Sequence, residues 1–92
     1  MFHEERTQVS KSTQDMNRAI DSLCEEFQAI DSYNQRAGAC TDSGLKHILL
    51  HNAKEEKEHA SMLLEWIRRH DPEMDHELED NLFKKGSIKG DD

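Results

Sequence analysis

One proline and four glycines are all that punctuate these 92 residues. So few breakers leave room for long, uninterrupted helices. Long apolar runs are also missing. None approaches the roughly 20 residues of a membrane span, and the N-terminal MFHEERTQVS lacks the apolar centre of a signal peptide. No membrane partner is expected. Basic residues are in deficit, 12 against 20 acidic, for a net charge of −8. That balance argues against a nucleic-acid partner and suits the attraction of cations. Cysteine is nearly absent: Cys24 and Cys40 fall on one helical stretch, 16 residues apart. At about 1.5 Å per residue they are roughly 24 Å apart, beyond the reach of about 7 Å between Cα atoms in a disulfide. Free thiols fit a reducing cytoplasm. Apolar residues make up only 34% of the chain. One small domain over 1–92 is expected, with a core so limited that self-association is its natural remedy.

What is there is helical periodicity. Met16, Ile20, Leu23, Phe27, Ile30 and Ala37 recur at helical spacings, predicting a helix from about Ser10 to Gly38. Gly38 suits a left-handed C-cap, and Thr41, Asp42 or Ser43 can cap the next helix. That helix runs from about Ser43 to His70 and ends in Arg68, Arg69 and His70, which complement its dipole. Asp71-Pro72 stops it and starts a third, shorter helix to about Lys85, with Gly86 ending it and residues 87–92 as a flexible tail. The fold class is all-α: an antiparallel hairpin of two long helices plus a short C-terminal one. A hairpin cannot cover both of its apolar faces. Two copies would complete a four-helix bundle.

Glu56-Lys57-Glu58-His59 sits at the centre of this pattern. Advancing about 100° per residue, Leu45, Leu49, Leu63 and Ile67 fall within roughly 20° of Glu56, with Ala53 and Ala60 close by. His59 lies one turn on, at the edge of the stripe. A lone carboxylate there is expensive to bury. Glu-x-x-His on an inward face is the half-site of ferritin-like dimetal bundles, which take one further Glu from each of the other two helices. Glu26 is that further Glu: it projects within about 60° of Ala19, Leu23, Ile30, Tyr33 and Ala37. One chain thus holds half a site, and two-fold pairing makes it whole. The count of helices and the count of ligands point to the same dimer. Carboxylate and imidazole ligands suit iron, manganese or zinc, and iron is the redox-active choice. Tyr33 follows Glu26 by two turns on one face, either as a core aromatic with its hydroxyl at a polar edge or placed to hydrogen-bond a ligand or supply an electron.

Other groups are less specific. His51, Glu55 and Glu58 stand within about 60° of one another on the opposite face of the second helix. They are either a solvated acidic face or an outer site that collects cations. Glu25 and Asp21 have the same two readings on the outer face of the first helix. A salt bridge to Lys57 or Arg68 is the plain alternative for Glu56 and His59. Trp66 and Ile67 read as packing residues, and His3, His47, His70 and His76 as surface positions.

The stretches SLCEEFQAIDSYNQRA at 22–37, HNAKEEKEHASMLLEWIRR at 51–69 and NLFKKGSI at 81–88 resemble the encapsulated ferritins, ferritin-like cargo of encapsulin nanocompartments. The resemblance covers about Asn17 to Ile88. It implies hairpins paired around a ferroxidase centre, dimers assembled into a decameric ring, and an encapsulin shell as partner and location. By resemblance the di-iron centre uses Glu26, Glu56 and His59 from each chain with Tyr33 alongside. An outer metal site maps to His51, Glu55 and Glu58, and an iron-uptake site to Glu25. Calcium, zinc or manganese are further ions for these sites. The family pattern Glu-Glu-x-Glu-Ala-x-Asp-Trp-Tyr is broken twice here, by Gln28 for an acidic residue and Ser32 for tryptophan. A neutral amide is a poorer cation ligand. The family's C-terminal docking peptide has only a superficial counterpart in Gly86–Gly90. The expected activity is oxidation of Fe²⁺ by O₂ for storage inside the shell. Two rivals are a rubrerythrin-like dimetal peroxidase and a non-catalytic helical assembly module.

Overall fold

The ends of each helix follow from side chains that satisfy its free backbone groups. In the computed structural model, which describes residues 3–90, a single 3-10 turn at Arg6–Gln8 precedes three helices: α1 (Lys11–Ala39), α2 (Ser43–His70) and α3 (Pro72–Asn81). No strand occurs among the described residues. Ser10 Oγ accepts from the Thr13 amide at 3.1 Å, opening α1. Asp42 Oδ2 accepts from the Leu45 amide at 2.8 Å, opening α2. Asp71 Oδ1 accepts from the amides of Glu73 and Met74, both at 3.1 Å, with Pro72 as the first residue of α3. Each cap of this kind contributes about 1 kcal/mol.

Two boundaries differ from the sequence expectation. Gly38 is not a left-handed cap: α1 continues through Ala39, and the extended Cys40 closes it, its amide donating to the Ala37 carbonyl at 3.2 Å. α3 ends at Asn81, four residues short of Lys85. Leu82 takes an extended conformation and Phe83 a left-handed one, φ 59°, so the chain turns before Gly86. Ser87–Gly90 form a turn in which the Gly90 amide donates to the Ser87 carbonyl at 3.1 Å. Residues 91–92 of the expected tail lie outside the described residues. The 3-10 turn is tied to α1 by Gln14 Nε2 donating to the Arg6 carbonyl at 2.9 Å, and without an apolar period it leaves no signal in the sequence.

α1 and α2 pack as an antiparallel hairpin, and small side chains set their approach. Ala19 and Ala37 of α1 and Ala53, Ala60 and Ile67 of α2 are the buried apolar residues. Among the described residues no large side chain is fully buried. Ile20, Phe27, Leu45, Ile48, Leu50 and Met62 remain between 45% and 57% exposed. At about 25 cal/mol per Å², much of this chain's potential burial is still unrealised in one copy.

α3 packs against α2 and is held by charge. Arg68 donates to both carboxylate oxygens of Glu65 at 2.8 and 2.7 Å and to Asp75 of α3 at 2.7 Å. Arg69 adds a bond to Glu65 at 2.6 Å. The hydrogen bonds from Arg68, then Arg69, hold the Glu65 carboxyl down from 4.5 to about 2. Glu65 and then Asp75 raise Arg68 above its usual value. A depressed carboxyl stabilises the fold above its unfolded value and loses that contribution as pH falls toward 2. The cluster is exposed, so the effect is small and salt-sensitive. Arg68→Ala should speed amide exchange across residues 72–81 at pH 7. It should also remove the part of the acid-induced loss of α3 that falls between about pH 4.5 and 2. Unchanged exchange would show that the latch does not hold α3.

Candidate metal centre

The α1–α2 seam brings two carboxylates and an imidazole to one point. Glu26 stands on the inner face of α1. Glu56 and His59, three residues apart, stand one above the other on α2. His59 Nδ1 lies 3.6 Å from Glu26 Oε2 and 3.4 Å from Glu56 Oε2. One ligand atom from each of the three residues lies within 4.8 Å of the other two. Among the described residues no other group of three or more His, Cys, Asp or Glu side chains is so arranged. The glutamates are mostly covered, with side chains 23% and 24% exposed, whereas His59 is 46% exposed. The centre is thus open on the imidazole side and closed on the carboxylate side.

Glu26 Oε2 is buried and has no hydrogen-bond donor. The His59 nitrogen is too far to count as one. Leaving such an oxygen without a donor or cation costs on the order of 1–3 kcal/mol, and more when it is charged. A divalent cation fits this donor set in chemistry. Three hard or borderline donors converge, and two of them carry charge. The ordinary salt-bridge alternative loses one of its cations, because Arg68 is engaged with Glu65 and Asp75. Lys57 lines an apolar groove with Phe27, Ile30, Ala60, Ser61 and Leu64. It lies two residues before His59 and so points well away from it around the helix.

The remaining candidates are placed differently. Tyr33 is half-buried, and the Arg36 guanidinium lies 5.6 Å from its ring centroid. The i, i+3 spacing of this pair is the sequence signal for the contact. His51 Nε2 lies 3.7 Å from Glu55 Oε1, both side chains well exposed. Glu58 is exposed and does not join them in a three-ligand group within one chain. Glu25 and Gln28 are exposed. His3, His47, His70 and His76 are exposed as expected. Trp66 also stacks on His70, ring centroids 3.9 Å apart, at a spacing of four residues that fits one helix turn. Cys24 and Cys40 are both free thiols. No helix among the described residues is long and apolar enough to cross a membrane.

The family model described as EncFtn-like matches residues 1–85. The chain is 46% identical over 86 residues to the "Encapsulated ferritin-like protein" of Rhodospirillum rubrum, covering 94% of this chain and 61% of that one. It is 43% identical over 82 residues to the "Ferritin-like protein" of Thermotoga maritima, covering 89% and 72%. The chain therefore spans less than two thirds of the Rhodospirillum relative. The crystal structure of protein ne0167 from Nitrosomonas europaea superposes with a TM-score of 0.92 at 57% identity, over 95% of this chain and 96% of that one.

Proposed function

The chain belongs to the EncFtn-like family, the encapsulated ferritins, and from that premise we propose that it is a ferroxidase. It oxidises Fe²⁺ with O₂ at a di-iron centre completed by two copies of the chain, and the ferric product is stored inside an encapsulin shell. The observation that carries this reading is the orphaned oxygen of Glu26, buried beside Glu56 and His59.

Charge supports the two-copy centre. Glu26 and Glu56 from two chains bring four negative charges, and two Fe²⁺ ions bring four positive ones. The filled centre is neutral and can be buried. Neither the empty nor the half-filled centre is neutral. Oxidation to Fe³⁺ leaves two uncompensated positive charges, which favours release of the product over its retention. Two Fe²⁺ supply two electrons, the number that takes O₂ and two protons to hydrogen peroxide. His59, the most exposed of the three ligands, is placed where substrate can arrive. Tyr33, on the face of α1 that carries Glu26, can hydrogen-bond a ligand or supply a further electron.

The incomplete core supports the partner. With no large side chain among the described residues fully buried in one copy and six large apolar residues of α1 and α2 about half exposed, a second hairpin supplies the missing half of a four-helix bundle. The shell is supported by the Rhodospirillum relative, an encapsulated ferritin-like protein by name. A decameric ring and residence inside the compartment belong to the same reading. Anaerobic addition of Fe²⁺ followed by air should give ferric absorbance much faster than in buffer, with one iron per chain taken up beforehand. Peroxide consumption without O₂-dependent iron oxidation would instead point to a peroxidase.

A further inference from the structure

Arginines in this acidic chain find carboxylates. Arg18 binds Asp15 at 2.6 Å, Arg68 binds Glu65 and Asp75, both at 2.7 Å, and Arg69 binds Glu65 at 2.6 Å. Arg36 differs. It forms no ion pair with a described residue, and its guanidinium lies over the half-buried ring of Tyr33, 5.6 Å from the centroid. Its place in the sequence explains the choice. One turn back along α1 stand Ser32 and Tyr33. The nearest carboxylate in sequence, Asp31, already accepts from Gln35 Nε2 at 2.8 Å.

We propose that Arg36 is a positioning residue for Tyr33: it holds the phenol as a hydrogen-bond donor toward the metal centre and opposes loss of an electron from the ring. Within the ferroxidase reading, on which this rests, Tyr33 is a donor of hydrogen bonds and not a source of electrons. A cation is attracted to the negative face of an aromatic ring. A ring that has lost an electron attracts it less, so the cation favours the intact phenol. At an exposed site the bias is about threefold. The guanidinium occupies the face and leaves the hydroxyl at the ring's edge free to donate. Tyr33 follows Glu26 by seven residues, about 10 Å of α1. Helical side chains tilt toward the N-terminus, which carries the hydroxyl back toward Glu26. With the tyrosine electron withheld, both electrons that take O₂ and two protons to hydrogen peroxide come from two Fe²⁺.

Tyr33 is the only tyrosine and Trp66 the only tryptophan. In a Trp66→Phe background with both thiols alkylated, square-wave voltammetry of the metal-free full chain therefore reads Tyr33 alone. Arg36→Met removes the charge and keeps an unbranched stem and a good helix former. It should lower the oxidation potential of Tyr33 by the threefold bias, about 28 mV at 59 mV per tenfold for one electron. The shift should persist in about 1 M salt, where only charges in contact still act. Arg36→Lys, which keeps the charge, should lie closer to the parent than to Arg36→Met. Circular dichroism should be the same for all three. In a second arm the wild-type chain takes Fe²⁺ and then air. It should give one hydrogen peroxide per two irons and no tyrosyl radical in freeze-quenched electron paramagnetic resonance. Equal potentials in the parent and Arg36→Met overturn the proposal. So does a fall in Arg36→Lys as large as in Arg36→Met, and so does a tyrosyl radical in the wild-type chain. The potential is read without metal, which keeps two failures apart. A chain that oxidises no iron ends the ferroxidase reading, while the potential still decides what Arg36 does to Tyr33.

Discussion

Glu56→Ala should abolish rapid iron oxidation and leave the helices in place. Because the centre is two-fold, one substitution removes two of its four carboxylates. Two Fe²⁺ would then face two negative charges instead of four, in a seam where Glu26 Oε2 already lacks a donor. Loss of an outer-shell partner of a metal ligand costs about 10–100-fold, so loss of two ligands should cost at least about a hundredfold in initial rate. Glu26→Ala and His59→Ala should fall in the same range. Alanine is the best helix former, so the circular dichroism spectrum should be unchanged. A wild-type rate of ferric absorbance in Glu56→Ala would mean that oxidation happens elsewhere.

Removing metal should take the pair of chains apart. Four carboxylates converge at the proposed interface, and without cations they repel. Metal that binds only the paired form stabilises it by mass action, about 2.7 kcal/mol at a hundredfold excess over the dissociation constant. Chelation should therefore raise the Kd of the pair at least tenfold, and Fe²⁺ added without oxygen should restore it. Sedimentation velocity across a range of protein concentrations reads this directly. The same mass with and without chelator would contradict it.

The sequence carries these arguments unevenly. The extents of α1 and α2 are legible because their apolar periods are long and cap-forming side chains precede them: Ser10 opens α1, and Asp42, one of three candidates at 41–43, opens α2. Glu26, Glu56 and His59 are brought together by a projection that needs only 3.6 residues per turn. The end of α3 is not legible, because Leu78 and Leu82 keep the helical spacing while the backbone has already turned at Leu82 and Phe83. Gly38 misleads in the opposite sense: its backbone freedom permits a left-handed cap, yet the helix continues through Ala39. The breadth of the apolar stripe on α1 is also ambiguous in one dimension. Ile20 and Phe27 share the period of Leu23 and Ile30, but they stand to the side of the seam, 46% and 55% exposed. Only the folded hairpin separates residues that face α2 from residues left for a partner.

A di-iron centre divided between two chains can be tested by native mass spectrometry under anaerobic conditions with Fe²⁺, which counts subunits and metal ions in one particle. Iron should appear only in species with an even number of chains, with two irons for every two chains at the centre, and Glu56→Ala should carry none there. Single chains that hold iron on their own, or paired chains that hold none, would contradict it.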